Sequence, residues 1–189
     1  MTLALIRHGE TDWNRDLRLQ GMADIPLNDT GRGQARDAVG LLAAEEWDVI
    51  VSSPLSRARE TAQIIAGGLG LELGPSYDLL VERGYGDAEG ATAEVIAERW
   101  PDNQYPGLES LETMVDRATR ALLQIANDFG DARTIIVCHG TLIRYTLQHL
   151  SGQSFEQIRN GAISTIVRDD NEWRVLSVNG EVLEESSIR

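Results

Sequence analysis

The chain has 189 residues, 42% of them hydrophobic, with 30 acidic residues against 17 basic ones, three histidines and one cysteine. That size suits one domain with a substantial core, and the net charge of −13 argues against general attraction to nucleic acid or to acidic membranes. All 17 basic residues are arginine, which excludes P-loop, Schiff-base and kinase-type lysine chemistry.

A single domain over residues 1–189 is expected. Residues 1–6 are too short and uncharged for a secretory signal, and no run approaches the ~18 apolar residues of a membrane span. The lone Cys138 excludes an intrachain disulfide and fits a reducing compartment, so the expected location is cytoplasmic, with no membrane partner.

In chain order, residues 2–7 read as a buried strand that ends abruptly in Arg7-His8-Gly9. After Asn28, a plausible N-cap, Ala35, Ala38, Val39, Leu42 and Ala43 recur at helical spacing up to Trp47. Residues 48–52 form a second short apolar strand. Ser53-Pro54 then reads as a cap followed by proline at the first helical position, opening a helix over 55–66 that Gly67, Gly68 and Gly70 end. Residues 87–106 are the least regular stretch and a candidate lid. Leu108, Leu111, Met114, Val115, Ala118, Leu122 and Ile125 make a helical stripe that stops near Gly130. Residues 134–138 form a third strand and 141–150 the helix after it. The tail changes character: 162–168 and 172–178 read as strands joined by Asp169-Asp170-Asn171, a hairpin at the sheet edge. Strands alternating with helices predict an α/β layered fold with a mostly parallel sheet, whose ligands bind beyond the carboxyl ends of the strands.

His8 and His139 both stand directly after an apolar strand and directly before a glycine. The glycine lets backbone approach a ligand closely, and an imidazole is largely unprotonated near neutral pH, where it can act as a nucleophile. An adjacent guanidinium such as Arg7 can hold the phosphoryl group under attack. Arg57 falls on the first turn of a helix, where the dipole favours anions. Arg59 points elsewhere and reads as a surface or ion-pairing residue. Phosphoryl transfer through phosphohistidine is the first hypothesis these residues support. His149, late in a helix with no glycine after it, reads as surface or core, and Cys138 as a buried strand residue. Gly31-Arg32-Gly33 lacks the preceding strand of a dinucleotide site, and the few histidines and single cysteine do not support a metal site.

The chain resembles the histidine phosphatase superfamily, also called the phosphoglycerate mutase-like family, over nearly its whole length. The resemblance rests on Arg7-His8-Gly9-Glu10-Thr11 with Asn14, on Arg18-Leu19-Gln20-Gly21, and on Ser53-Pro54-Leu55-Ser56-Arg57-Ala58-Arg59-Glu60-Thr61. It continues through Glu82 to Gly90 and ends on Cys138-His139-Gly140. It implies a three-layer α/β/α sandwich. It implies that His8 becomes transiently phosphorylated while Arg7, Arg57 and His139 bind phosphoryl oxygens. By the same resemblance Asn14 and Gln20 are polar substrate contacts, and the amides of Gly9, Gly21 and Gly140 are further donors. The resemblance also implies that the proton for the leaving alcohol comes from Glu82, with Glu89 as the competing carboxylate. Glutamate has an ordinary pKa of about 4.3, so an acid at neutral pH needs burial or a nearby phosphate.

The resemblance does not by itself separate hydrolysis from exchange. The mutases have Glu-Arg-His-Tyr-Gly where this chain has Glu82-Arg83-Gly84-Tyr85-Gly86, and they carry a longer basic insertion before the last catalytic strand. Here that interval offers Arg83, Arg99, Arg117 and Arg120, two of them on an ordinary amphipathic helix. The expectation is a metal-independent phosphomonoesterase without cofactor, acting on a small phosphorylated metabolite such as a sugar phosphate, a phosphoglycerate derivative, phosphoserine or ribazole phosphate. A cofactor-dependent mutase and a non-catalytic phospholigand sensor are the alternatives. Oligomeric state is open, with a homodimer allowed.

Overall fold

Along β1 (Thr2–Arg7) successive side chains point to opposite faces and are buried on both. Leu3 and Leu5 enter one core with Val51, Ile136, Cys138 and Ile166, while Ala4 and Ile6 enter another with Ile50, Ile135 and Val137. A strand covered on both sides needs helices on both sides. This computed structural model describes residues 1–170 and 172–183.

After β1 come α1 (Asp12–Arg15), α2 (Asp29–Leu42), β2 (Val49–Ser52), α3 (Ser56–Leu69) and β3 (Leu73–Ser76). The chain continues through α4 (Ala93–Arg99), α5 (Leu111–Phe129), β4 (Thr134–Cys138) and α6 (Gly140–Ser151) to β5 (Ile163–Asp169), β6 (Glu172–Val178) and β7 (Glu181–Val182). The strand order is β3-β2-β4-β1-β5-β6-β7, with the first four parallel and the last three antiparallel. Helices α5 and α6 supply Met114, Leu122, Ile125, Leu142, Ile143 and Leu147 to the first core. Ala38, Leu42, Ala58, Ala62 and Ile65 of α2 and α3 fill the second. The result is the expected three-layer α/β/α sandwich on a mixed sheet. No helix among the described residues is long and apolar enough to cross a membrane.

Several local expectations need correction. Asn28 does cap α2, its side chain accepting the Gly31 N–H, but the helix ends at Leu42 rather than running to Trp47. The indole N–H of Trp47 donates to the Leu42 carbonyl at 3.0 Å and so caps the last turn from outside. Ser53 is not the helix cap: α3 begins at Ser56 after Leu55, Ser53 Oγ reaches only the Leu55 N–H at 3.4 Å besides His139, and it is Asp24 Oδ1 that accepts the Ser56 N–H, at 2.7 Å. Gly67 and Gly68 lie inside α3, and Gly70 alone stops it, in the left-handed conformation at φ 71°. The 162–178 hairpin is not the sheet edge, since β5 pairs with β1 and β7 lies outside β6. Within its turn, Asn171 lies outside the described residues. Strands β3 and β7 were not anticipated. Residues 87–106 contain α4, and Gly90 and Ala91 are tied by backbone hydrogen bonds to Leu19.

Candidate active site

Sheet register brings the site together. Parallel pairing of β1 with β4 sets Arg7 opposite Cys138, and the His8 N–H donates to the Cys138 carbonyl at 3.0 Å. His8 and His139 therefore leave adjacent strands side by side, their rings meeting edge to face with centroids 5.2 Å apart. On the other flank, the Ser53 N–H donates to the Val137 carbonyl at 2.9 Å, and the Ser53 hydroxyl lies 2.8 Å from His139 Nε2. This is the crevice beyond the carboxyl ends of parallel strands where such sheets bind ligands.

Hydrogen bonds fix the state of His8. Its Nδ1 lies 2.6 Å from the Gly9 carbonyl, which can only accept, so Nδ1 carries the proton. Nε2 receives the Arg57 Nε–H at 3.2 Å and is the unprotonated nitrogen. Burial holds His8 well below its ordinary value of 6.5, and the Arg57 and Arg7 charges push the same way. His139 is lowered for the same leading reason, with Arg57 next.

Arg57 is fully buried at 0% exposure. Its Nη2 and Nη1 donate to the carbonyls of Gly21 and Ala23, both at 2.7 Å, so its guanidinium ties the 20–23 loop to the nucleophile. Burial pulls Arg57 down to about 10, with Glu82 opposing, and it remains cationic at neutral pH. Arg7 donates to the Ile158 carbonyl at 2.6 Å and is likewise lowered by burial and supported by Glu82. Arg7 Nε and His139 Nδ1 are buried with no hydrogen-bond partner. An unpaired buried polar group costs about 1–3 kcal/mol; Arg7 Nε is a donor suited to an anion's oxygens, and His139 Nδ1 is one in the tautomer whose Nε2 accepts the Ser53 hydroxyl.

Glu82 is 8% exposed and accepts N–H bonds from Arg83, Thr141 and Leu142 at 2.9–3.1 Å. It thus lies at the N-terminus of α6, where negative charge is favoured. With Arg7, Gly140, Thr141, Arg144, Tyr145 and Gln157 it lines a cavity of about 150 Å³. Glu89 accepts from Met22, Ala23 and Tyr85, and its carboxylate lies against Gly21, where a Cβ would come within 2.1 Å of it. Glu82, not Glu89, borders the cavity beside Arg7.

The remaining expected contacts serve varied roles. Both backbone groups of Gly9 are committed within the protein, its N–H donating to Thr61 Oγ1 at 3.1 Å, so its amide is not the free anion donor anticipated. A Cβ on Gly9 would sit 2.3 Å from the Gly31 carbonyl, a backbone approach only glycine allows. Asn14 completes the cap of α1 with Thr11, and its Oδ1 receives Asn160 Nδ2, which also donates to the His8 carbonyl. Gln20 Oε1 accepts the Thr11 hydroxyl at 2.9 Å. Gly21 contributes its carbonyl to Arg57. At Gly140 a Cβ would press on Arg7 Cδ and Nε at 3.0 Å. Arg59 lies outside the site and donates to the Gly74 carbonyl, while His149 is exposed. Cys138 is buried, and burial pushes its thiol up to about 12, so it stays protonated. Thr61, Asn160 and the bonded role of Ser53 escaped the sequence reading; only Ser53, at a strand end beside His139, carried a positional signal. No group of three or more metal-ligating side chains occurs among the described residues.

The depressed histidines have a pH signature. An imidazole neutral in the fold but titrating at 6.5 when unfolded contributes stability that is fully present above 6.5. That stability is lost as pH falls from there towards the folded value, by up to about 1.4 kcal/mol per pH unit for each ring. Urea midpoints are expected to drop between pH 7 and pH 5, while nitrogen NMR at pH 5.5 still finds the His8 and His139 rings neutral. Two imidazolium signals from the folded protein at that pH would contradict the assignment.

Comparison with known proteins agrees with this geometry. The model of the histidine phosphatase superfamily (branch 1) matches residues 3–181. The uncharacterized phosphatase PhoE of Bacillus subtilis is 40% identical over 94% of this chain and 93% of its own. Among solved structures, Bacillus stearothermophilus YhfR superposes with a TM-score of 0.87 at 29% identity, covering 96% of this chain and 98% of that one. A mycobacterial glucosyl-3-phosphoglycerate phosphatase complexed with VO3 gives 0.83 at 28% identity, covering 94% and 98%. With strand-end histidines, buried arginines and a matching family model over nearly its whole length, the chain belongs to the histidine phosphatase superfamily.

Proposed function

We propose that the protein is a metal-independent phosphomonoesterase that removes phosphate from a small phosphorylated metabolite through a phosphohistidine on His8. The observation that carries this reading is the state of His8: a buried, neutral imidazole whose unprotonated Nε2 faces Arg57, with Arg7 nearby. The negative charge of the bound phosphate beside Glu82 makes that carboxylate take up a proton; Nε2 then attacks phosphorus, the ester P–O bond breaks, and Glu82 gives this proton to the departing alkoxide. Arg7, Arg57 and His139 hold the three equatorial oxygens, and each preorganised donor of this kind is worth about 3 kcal/mol. Glu82, now a carboxylate, takes a proton from water as that water attacks the phosphohistidine. The P–N bond breaks, inorganic phosphate leaves, and both residues return to their starting states.

The cavity beside Glu82 suits a small, polar leaving group. Its about 150 Å³ falls below the range of roughly 300–1,000 Å³ typical of drug-sized sites, and Arg144 and Gln157 are among its lining residues. The test is a phosphate-release assay on a metabolite panel in excess chelator, run beside a transfer assay from bisphosphoglycerate to monophosphoglycerate. Sustained phosphate release faster than transfer is expected. Transfer outrunning release would make the enzyme a mutase, and loss of all turnover on chelation would remove the metal-independent mechanism.

A further inference from the structure

Arg117, an arginine of the amphipathic helix α5, uses all five of its N–H groups, three of them on the segment that carries Glu82 and two on Glu109. Nη1 donates to the carbonyls of Leu79 and Val81 at 2.9 and 2.6 Å, and Nη2 donates to the carbonyl of Glu82 at 2.9 Å. Its remaining donors form a two-point pair with Glu109, Nε to Oε1 at 2.7 Å and Nη2 to Oε2 at 2.9 Å. Glu109 grips the same segment from the other side. Its Oε2 accepts the Gly84 N–H at 3.0 Å, its N–H donates to the Gly84 carbonyl, and its own carbonyl accepts Arg83 Nε. The two side chains are only 11% and 14% exposed. Burial alone would raise the Glu109 carboxyl, but the bonds from Arg117 and Gly84 outweigh it and hold the group below its ordinary value.

We propose that Arg117, aligned by Glu109, is the positioning residue for the proton-donating carboxylate of Glu82, fixing the backbone of residues 79–84 against α5. Neither residue is among those lining the cavity, so each acts through Glu82. A planar fork meeting three carbonyls and one carboxylate is a geometry that lysine, with its single compact ammonium, does not reproduce. The inference rests on the proton-donor reading of Glu82 and predicts a defect confined to the step in which the alcohol leaves.

Leaving-group chemistry isolates that step. A nitrophenolate departs with little protonation, whereas an alkoxide needs the acid. The experiment compares kcat/KM for p-nitrophenyl phosphate and for glycerol phosphate in wild type, Glu82→Gln, Glu109→Gln, Arg117→Lys and the Glu82→Gln/Glu109→Gln double variant. General acid catalysis contributes about 10²–10⁴-fold, so Glu82→Gln is expected to lower the alkyl ester about 10²-fold more than the aryl ester. Glu109→Gln and Arg117→Lys are expected to show the same selectivity at about tenfold. In the Glu82→Gln background the selective loss from Glu109→Gln should vanish, because the two act as one unit. Equal losses on both esters, no loss on either, or a selective loss that survives in the double variant would overturn the proposal. Should Arg117→Lys fail to fold, the near-isosteric Glu109→Gln decides alone. Absence of ester selectivity in Glu82→Gln itself is a separate outcome: it removes the proton-donor reading, and the positioning role falls with it.

Discussion

A His8→Ala variant is expected to fold and to lose turnover by on the order of 10⁵- to 10⁶-fold, the scale on which removal of a covalent nucleophile acts. The fold should survive because the His8 backbone keeps its strand contacts: its N–H stays on the Cys138 carbonyl and its carbonyl on Asn160 Nδ2. The lost side chain contributes two hydrogen bonds, to the Gly9 carbonyl and from Arg57, and the volume vacated by the imidazole lies between those two partners, where a water can take its place. Steady-state turnover of a chromogenic phosphomonoester, with thermal unfolding as the control, measures this. Residual activity within about a hundredfold of wild type, in a folded variant, would mean that phosphate reaches water without passing through His8.

Arg57→Met should have the second largest effect, on both activity and stability. The methionine fills part of the buried volume but supplies no donor. The buried Gly21 carbonyl then loses its partner, at about 1–3 kcal/mol, while the part-buried Ala23 carbonyl keeps the Ile25 N–H and loses less. Turnover should fall about 10²–10³-fold, because a preorganised cation at the phosphoryl oxygens is gone and His8 Nε2 loses the N–H that aligns it. Chemical denaturation and kcat/KM on the same preparation separate the two losses. A variant as stable as wild type would show that the guanidinium does not anchor the 20–23 loop, and one as active would remove it from the transition state.

These two side chains also mark how much of the site was legible in the amino-acid sequence. His8 and His139 could be read because each ends an apolar strand and precedes glycine, a local signal that survives without knowledge of the sheet. Arg57 was legible from its place on the first turn of α3, though that turn starts at Ser56 and lacks the serine cap expected of Ser53. Ser53 itself shows the limit. Ser-Pro is a strong local signature for a capped helix, yet parallel pairing of β2 with β4 carries Ser53 to His139, the helix starts only at Ser56, and the remote Asp24 accepts the Ser56 N–H. Trp47 ended α2 early for a similar reason, its indole meeting the helix terminus from beyond it.

The core strands were legible because they are buried on both faces and so read as unbroken apolar runs. The edge strands β3 and β7 were not, since Leu-Gly-Pro-Ser and Glu-Val carry no strand pattern and are set by their neighbours. The same distinction explains Arg117 and Glu109. On a helical wheel Arg117 is an ordinary polar position. Its five bonds to residues 79, 81, 82 and 109 depend on how α5 crosses the segment before it, which no local spacing encodes. Gly9 carried a functional expectation for its amide, but tertiary packing gave it a structural one: room for Gly31 and a bond to Thr61.

The central claim is that phosphate passes through His8 Nε2. Rapid quenching of wild-type enzyme mixed with a phosphomonoester, followed by peptide mass spectrometry under alkaline conditions, tests it most directly. The account predicts one phosphoryl group, on the His8 imidazole, stable in base and lost in acid, appearing before inorganic phosphate. Phosphate on another residue, or turnover with His8 unmodified at every quench time, would contradict it.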